Sequence, residues 1–202
     1  MSTSAGTRGP YAKTRRVRER ILSAAEDVFA TSGFRATTLK EIALRAGISE
    51  GGLAHHFGSK AELLGEILNR RENRAAGQFP DTVGLGRLLA MIEIVAEDSR
   101  TPGIVELHST LSAEASSPEH PAHGHYLERY HGVRDLVSDV FEVLQREGRL
   151  DSPLSVDELA AAFVALSDGL QLQWLYHPDE VDAVSVLRAF LHSVVPELRE
   201  TV

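Results

Sequence analysis

Two short apolar-periodic segments joined by a tight turn are the feature that most limits what this chain can fold into. The segments Thr38 to Ala46 and Glu50 to Phe57 are separated only by Gly47-Ile48-Ser49. Gly47 can adopt the positive φ that such a turn requires at little steric cost, and threonine and serine are good N-cap residues for the two segments. The spacing predicts a helix-turn-helix, whose second helix presents its N-terminal half to the major groove of DNA.

Apolar residues recur at helical spacing along the remaining chain, and this pattern predicts an all-α fold. An initial helix would run from the basic stretch YAKTRRVRER to a stop at Gly33. A capping box formed by Ser155 and Glu158 would begin a strongly apolar helix that continues to Tyr176. The other predicted helices lie at about 60–76, 85–97, 102–111, 126–147 and 180–195.

The composition changes near Gly77 to Asp81, where glycine and proline appear and basic residues are lost. Residues 1–79 hold 13 Lys/Arg against 8 Asp/Glu, whereas residues 80–202 hold 8 against 21. A basic first part on an acidic second part predicts that only the first part binds a polyanion such as DNA. We therefore predict a disordered leader at 1–12, an N-terminal three-helix DNA-binding domain with the helix-turn-helix at 13–78, and a C-terminal helical domain at 79–202.

Several functional classes find no support in the sequence. The absence of cysteine excludes disulfides and thiolate metal sites, and no apolar run approaches the roughly 18 to 20 residues that span a bilayer. The first ten residues do not resemble a signal peptide, which predicts a cytoplasmic protein with no membrane partner. A Gly-rich phosphate loop, a nucleophile elbow and a metal-ligand helix are also missing, so we expect neither an enzyme nor a cofactor.

Four histidines, His120, His123, His125 and His131, raise the question of a metal site because imidazole is a common metal ligand. They lie in or beside a loop rich in proline and glycine, where only two glutamates offer nearby carboxylates. Zinc sites usually hold three or four ligands on firmer elements. The sequence therefore predicts no specific metal site.

The run TTLKEIALRAGISEGGLAHHFGSKAELL, with RILSAAEDVFATSGFRATT leading into it, resembles the N-terminal signature of the TetR (TetR/AcrR) family of one-component transcriptional regulators. The likeness covers about residues 15–68, whereas the later part is similar to the family only in helix layout. The resemblance implies that Thr38 and Lys40 lie near DNA on the first helix of the motif and that Lys60 binds phosphate. It further implies that the groove is faced by Glu50, Gly51, Gly52, His55 and His56.

The second helix of the motif departs from the family pattern at two positions. Ala54 stands where the family usually has an aromatic residue, and Gly52 where it often has threonine, so two hydroxyls that commonly touch the DNA backbone are missing. Either a basic arm that includes Arg18 or close backbone approach at the glycines could replace them, and we predict the arm. The two histidines could instead be cap or surface residues. The predicted DNA-binding residues are Lys13, Arg15, Arg16, Thr38, Lys40, Ser49, Glu50, Gly51, Gly52, His55, His56 and Lys60.

The last two predicted helices are apolar over more than one stripe, so each has more surface to cover than an internal core requires. Two copies packed around a two-fold axis would form a four-helix bundle, as the family resemblance also implies. A symmetric operator needs two reading units. We therefore predict a homodimer, with interface residues Leu159, Phe163, Leu166, Leu170, Leu187, Phe190, Leu191 and Val194.

The C-terminal domain is also expected to hold a pocket for an unidentified small-molecule effector. Trp174, the only tryptophan, could line this pocket or belong to the core. The candidate ligand-binding residues are Met91, His108, Phe141, Asp168, Gln171 and Trp174.

Together these features predict a ligand-responsive transcriptional repressor that binds a palindromic double-stranded DNA operator as a dimer and is released by a small molecule. Activation instead of repression stays open at this point, as do the operator sequence and the effector. The alternative is a co-regulator or architectural DNA-binding protein with no small-molecule inducer. A fully packed C-terminal domain without a cavity of a few hundred cubic ångströms would favour that alternative.

Overall fold

A computed structural model describes residues 10–78, 83–100 and 102–200, and the regular secondary structure in these ranges is entirely helical. The all-α prediction is thus confirmed. We call α1 to α4 the head and α5 to α9 the body. In chain order the elements are α1 (Pro10–Ala36), α2 (Leu39–Ala46), α3 (Glu50–His56), α4 (Lys60–Gln78), α5 (Leu85–Asp98), α6 (Pro102–Glu114), α7 (His123–Arg146), α8 (Val156–Tyr176), α9 (Ala183–Val194) and a 3-10 turn (Pro196–Glu200).

Caps and glycines set the helix ends of the head much as the sequence indicates. The hydroxyl of Thr38 accepts from the backbone N–H of Glu41 in a full capping box, and Gly47 ends α2 in the left-handed region with φ 66°. Gly33 interrupts α1 with φ 73° and ψ 168°, a conformation open essentially to glycine alone. Helix α1 begins at Pro10, inside the predicted leader, whose residues 1–9 lie outside the described part of the chain.

The body helices differ from prediction at their ends. The capping box of Ser155 and Glu158 is present, and α8 runs to Tyr176 as expected. Helix α9 begins at Ala183 rather than near Glu180, because the carboxylate of Asp182 caps the backbone N–H of Ser185. Within the described ranges, no helix combines the length and apolarity needed to cross a membrane.

Two apolar cores hold the helices together, and the first joins the head to the body. The head core is built on fully buried residues such as Ile21, Phe29 and Leu53, and it continues into Leu107 and Leu111 of α6. The two parts therefore share packed surface in spite of the composition change between them. The body core contains Leu88, Ile92, Val95, Val137, Val140, Phe141, Leu144, Leu159, Ala160, Phe163, Leu170, Ala183, Leu187, Leu191, Val194 and Val195.

Six of the eight predicted interface residues are buried within a single protomer. A side chain buried in this way makes its apolar contacts inside the protomer and leaves little surface for a second copy. Of the predicted set, only Leu166 and Phe190 are partly exposed. The residues that the structure assigns to the core instead are Leu159, Phe163, Leu170, Leu187, Leu191 and Val194.

Candidate DNA interface and effector cavity

Helix α3 is anchored by one face, and its other face is open. Ser49 caps it by accepting from the backbone N–H of Gly52 at 3.1 Å, and Leu53 is fully buried against the head core. A Cβ added at Gly52 would lie 3.2 Å from Oγ of Ser49, so the glycine leaves room for the cap. The exposed positions of α3 are Glu50, Gly51, Ala54 and His55, while His56 is half-buried. The outer face of α3 therefore carries few hydrogen-bonding side chains.

The N-terminus of α2 already holds a carboxylate. Oε2 of Glu41 accepts from the backbone N–H of Thr38 at 2.7 Å and from its hydroxyl at 2.9 Å. These hydrogen bonds from Thr38, the backbone one first, lower the pKa of Glu41 below its ordinary value. A DNA phosphate at this helix end would have to share it with the Glu41 carboxylate, whereas Lys40 is exposed beside it.

Lys60 is hydrogen-bonded to the protein backbone, and these contacts compete with its predicted role at phosphate. Its Nζ donates to the carbonyl oxygens of Phe34 and Thr37, both at 2.6 Å, and lies 4.4 Å from the centroid of the Phe34 ring. A third carbonyl, that of Arg35, lies at 3.4 Å. The ammonium therefore uses its donors on the connection between α1 and α2. Sequence reasoning missed this role because the acceptors are carbonyls more than twenty residues away.

Arg18 also has a structural role, at the C-terminal end of α3. Its Nη1 donates to the carbonyl oxygen of His56 at 3.1 Å, its Nη2 pairs with Glu66 at 3.2 Å, and the guanidinium lies 4.2 Å from the centroid of the Phe57 ring. The sequence placed Arg18 in a DNA-binding arm. The structure uses it to fasten α1 to α3 and α4, which fixes the angle at which α3 is presented.

Arg15 and Arg16 of the basic arm are exposed. Arg15 is exposed and pairs with Glu19 one turn along α1 at 3.0 Å, a contact of little energetic value. Arg16 is exposed and lines an open groove of the head together with Arg45 and Arg70. Lys13 lies on α1, but its side chain is outside the described part of the molecule.

The body contains a cavity of about 320 Å³ between α5, α6, α7 and α8. This volume falls within the range of small-molecule sites. Four of the six predicted ligand-binding residues line it, namely Met91, His108, Asp168 and Gln171. Phe141 is fully buried in the body core, and Trp174 is half-buried outside the lining. Sequence reasoning missed the lining residues Val95, Asp98, Arg129, Tyr130, Val133, Leu136, Val164 and Ser167.

Three polar side chains meet at one wall of the cavity. The hydroxyl of Tyr130 donates to Oδ2 of Asp168 at 2.7 Å, and Nε2 of His108 lies 3.3 Å from Oδ1. Burial alone would raise the pKa of Asp168, but the hydrogen bonds from His108 and Tyr130 outweigh it and hold the pKa below its ordinary value. Burial and the Asp168 hydrogen bond raise the pKa of Tyr130. The wall therefore presents an ionised carboxylate beside a neutral phenol.

A carboxylate at the far end of α6 ties the body to the head. Oε2 of Glu114 accepts from the backbone N–H of Phe34 at 2.6 Å, and Oε1 lies 3.5 Å from that of Arg35. These N–H groups are freed where Gly33 interrupts α1. A Cβ at Gly33 would lie 2.6 Å from Oε1 of Glu114, so a glycine is needed for this approach. Helix α6 thus carries a cavity residue, His108, and the head contact, Glu114.

Two of the histidines beside the proline-rich loop, His120 and His123, are hydrogen-bonded within the protein. His120 is buried, its Nδ1 accepts from the backbone N–H of Ala122 at 3.2 Å, and its ring packs edge-on against Phe34. Nδ1 of His123 lies 2.8 Å from the carbonyl oxygen of Ala115. His131 is exposed. In the described ranges, no group of three histidine or acidic side chains is placed to hold a metal ion.

Exposed apolar residues form stripes on the outer faces of α8 and α9. On α8 the stripe follows the helical spacing of Ala165, Gly169, Leu172 and Tyr176, and Tyr176 is 74% exposed. Val186 of α9 is 43% exposed, and Phe190 is half-buried. These stripes are the surface that remains available on the two helices for which the sequence predicted dimer contacts.

Comparisons with known proteins agree with both parts of the chain. The family model for the N-terminal region of bacterial regulatory proteins of the tetR family matches residues 21–67. The model for the C-terminal region of BetI-type transcriptional repressors matches residues 85–196, more than half of the chain.

Individual relatives extend over nearly the whole length. The HTH-type transcriptional repressor KstR2 of Rhodococcus jostii is 29% identical over 197 residues, which cover 90% of each chain. The Stenotrophomonas maltophilia repressor SmeT in complex with triclosan superposes with a TM-score of 0.72 at 22% identity and covers 89% of this chain and 92% of its own. A Saccharomonospora viridis regulator in complex with choline gives 0.72 at 21% identity, with 90% and 98% covered. This chain belongs to the TetR family of bacterial transcriptional regulators and has a C-terminal region of the BetI type.

Proposed function

We propose that this protein is a repressor that binds a palindromic operator as a homodimer and is released when a small molecule enters the body cavity. The observation that carries the proposal is the position of α6 between the two sites. His108 of α6 lines the cavity, and Glu114 of the same helix accepts hydrogen bonds from the head backbone. A ligand that shifts α6 would therefore move the end of α1 through a direct contact, and with it the head that presents α3.

Relatives with small molecules bound support the same function. The similar SmeT structure is a complex with triclosan and the Saccharomonospora viridis structure is a complex with choline, so proteins of this fold bind organic molecules. The cavity of about 320 Å³ speaks against the alternative of a DNA-binding protein with a fully packed body.

The proposal is tested by selecting bound DNA from a random pool and then titrating the selected operator against candidate effectors. We expect two half-sites related by a two-fold axis and separated by about one helical turn or a multiple of it. A true effector lowers operator affinity, and the operator lowers effector affinity by the same factor, because the two equilibria are linked. Independent binding of effector and operator would reject regulation through this cavity.

The exposed arginines of α1 are proposed to bind the phosphate backbone of the operator, because the outer face of α3 carries few side chains that could do so. Replacing Arg15 and Arg16 together by alanine should weaken operator binding and reduce the slope of log affinity against log salt by about 2. Arg134 and Arg146, exposed on α7 of the body, provide the matched double alanine control. An unchanged slope in the α1 variant would show that these arginines stay in solvent.

The dimer is proposed to form through the outer stripes of α8 and α9. The double variant Leu172→Glu/Tyr176→Glu places charges on the α8 stripe without entering the core, so we expect a monomer in sedimentation experiments and loss of tight operator binding. Leu127 is also about half-exposed but lies on α7, and Leu127→Glu serves as the control that should stay dimeric. A dimer that survives the double variant would place the interface elsewhere.

A further inference from the structure

One side-chain oxygen in the cavity wall lacks a hydrogen bond. Gln171 of α8 lines the cavity and is only 7% exposed, and its Oε1 has no hydrogen-bond partner among the described residues. Buried polar atoms in folded proteins are nearly always hydrogen-bonded, because an unpaired one loses its hydrogen bonds to water without replacing them. An acceptor left open beside a cavity is therefore suited to a donor that arrives with a ligand.

A second acceptor lies one turn away on the same face of α8. Asp168 precedes Gln171 by three residues, so both side chains project toward one wall of the cavity. The Asp168 side chain is 37% exposed in spite of its contacts with His108 and Tyr130, so the cavity can still reach its carboxylate. The two residues together form a short row of oxygen acceptors.

The charges around the cavity favour a cation. Asp98 and Asp168 contribute two carboxylates to the lining, whereas Arg129 contributes one guanidinium and His108 an imidazole beside Asp168. The rest of the wall is largely apolar, with Met91 and Val133 among its members. A ligand that carries its own carboxylate or phosphate would bring negative charge beside Asp168 and would leave the Gln171 oxygen without a donor.

We propose that the effector is an amine with an N–H-bearing ammonium group on an apolar skeleton, and that the ammonium binds between Gln171 and Asp168. The ammonium supplies the donor that Gln171 lacks and the positive charge that the carboxylates favour. The apolar skeleton covers the hydrophobic remainder of the wall. This inference rests on the proposed function, because it names the chemistry of the molecule that fills the same cavity.

Three probes with one carbon skeleton test the ligand class: 4-phenylbutylamine, 4-phenylbutanol and 4-phenylbutyrate. Calorimetric titration of the full-length protein near neutral pH should give an affinity for the amine at least about tenfold above that for the carboxylate, with the alcohol between them. Asp168→Asn should reduce the preference for amine over alcohol to about twofold or less. A carboxylate that binds as well as the amine, or failure of all three probes at millimolar concentration, would overturn the proposal.

Variants of Gln171 test the open acceptor both in the free protein and in the amine complex. Gln171→Leu removes an unpaired buried oxygen, so the melting temperature of the free protein should rise while amine affinity falls about tenfold. Gln173 is an exposed glutamine on the same helix, and Gln173→Leu should change neither quantity. Unchanged amine affinity in Gln171→Leu would show that the ligand does not use this oxygen.

A gel-shift titration separates this inference from the proposed function. If the amine binds but leaves operator affinity unchanged, the inferred ligand class is supported and regulation through the cavity is rejected. If the carboxylate alone binds and releases the operator, regulation stands and the ligand class is wrong. Release of the operator by the amine, with the loss of that response in Gln171→Leu, supports both.

Discussion

The head and the body are stabilised in different ways. In the head, α2 and α3 contain only 8 and 7 residues, lengths at which isolated helices are unstable. Besides the apolar head core, polar side chains that bond to the backbone hold them, as Ser49, Lys60 and Arg18 do. In the body, α7 and α8 contain 24 and 21 residues and pack through large apolar side chains.

Under the proposed function, this difference separates the part that reads DNA from the part that responds to a ligand. Hydrogen bonds to backbone atoms are directional, so they fix the short head helices to one another as a unit. The body keeps its polar groups at a cavity wall, where a ligand can add contacts that the free protein lacks. The Glu114 contact at Gly33 is where one part meets the other.

The largest effect is expected from a cavity made in the body core. Phe163 is 1% exposed, so Phe163→Ala should lower the free energy of unfolding by about 4 kcal/mol. Phe163→Leu, which keeps most of the apolar volume, should cost clearly less. Urea unfolding at two protein concentrations measures both, and equal losses at the two concentrations are expected because the contacts lie within one protomer. If the loss of unfolding free energy disappears at the lower protein concentration, Phe163 contributes to the dimer interface instead.

A smaller effect is expected at the junction, where two glycines with positive φ form a matched pair. Gly33→Ala combines a strained backbone with a Cβ that displaces the Glu114 carboxylate, so it should cost about 3 kcal/mol. Gly47 has φ 66° and open space around its Cβ position, so Gly47→Ala should cost only about 1–2 kcal/mol. Equal costs in urea unfolding would mean that the Glu114 contact adds nothing to stability.

The sequence predicted the features that depend on neighbouring residues. The caps at Thr38, Ser49 and Ser155 and the stop at Gly47 all follow from local hydrogen bonds and backbone conformation, and the structure shows each of them. At Gly33, where the sequence predicts a stop, α1 is interrupted but continues to Ala36. The family signature of the head is itself a local pattern, which is why a single sequence is enough to detect it.

The sequence could not predict which apolar and charged residues meet across the fold. An apolar residue on a broad helical stripe can face its own core or a second copy, so Phe163 and Leu187 were assigned to an interface although the protomer buries them. Lys60 and Arg18 were assigned to DNA because basic residues near such a motif are typical phosphate ligands, yet their partners are distant carbonyls and a carboxylate. These assignments depend on long-range packing, which helical periodicity does not specify.

Two lysine variants test the claim that hydrogen bonds from side chains to the backbone stabilise the head. Lys60→Met keeps the length of the side chain but removes the donors to Phe34 and Thr37, so it should cost about 2 kcal/mol. Lys40 is exposed, and Lys40→Met should change the unfolding free energy by less than about 0.5 kcal/mol. If Lys60→Met instead keeps full stability and loses about one unit of salt slope in operator binding, Lys60 binds phosphate after all.

The smallest effect concerns the pH dependence of the junction itself. Burial lowers the pKa of His120 below its ordinary value of 6.5, and the nearby carboxylate of Glu114, 3.7 Å from Nε2, only partly opposes this. The unfolded chain therefore takes up a proton at a higher pH than the folded protein does. The stability from a neutral His120 is present above about pH 6.5 and is lost as the pH falls below it toward the folded pKa.

Unfolding measured between pH 8 and pH 5 should show this loss in the parent protein, and His120→Phe should remove part of it while costing little at pH 8. Phe34→Leu is the matched control, because it removes the ring packed against His120 and keeps the imidazole. It should lower stability at every pH and preserve the slope. If His120→Phe keeps the slope of the parent, the acid sensitivity of the fold arises from other groups, and the contact between head and body is insensitive to pH in this range.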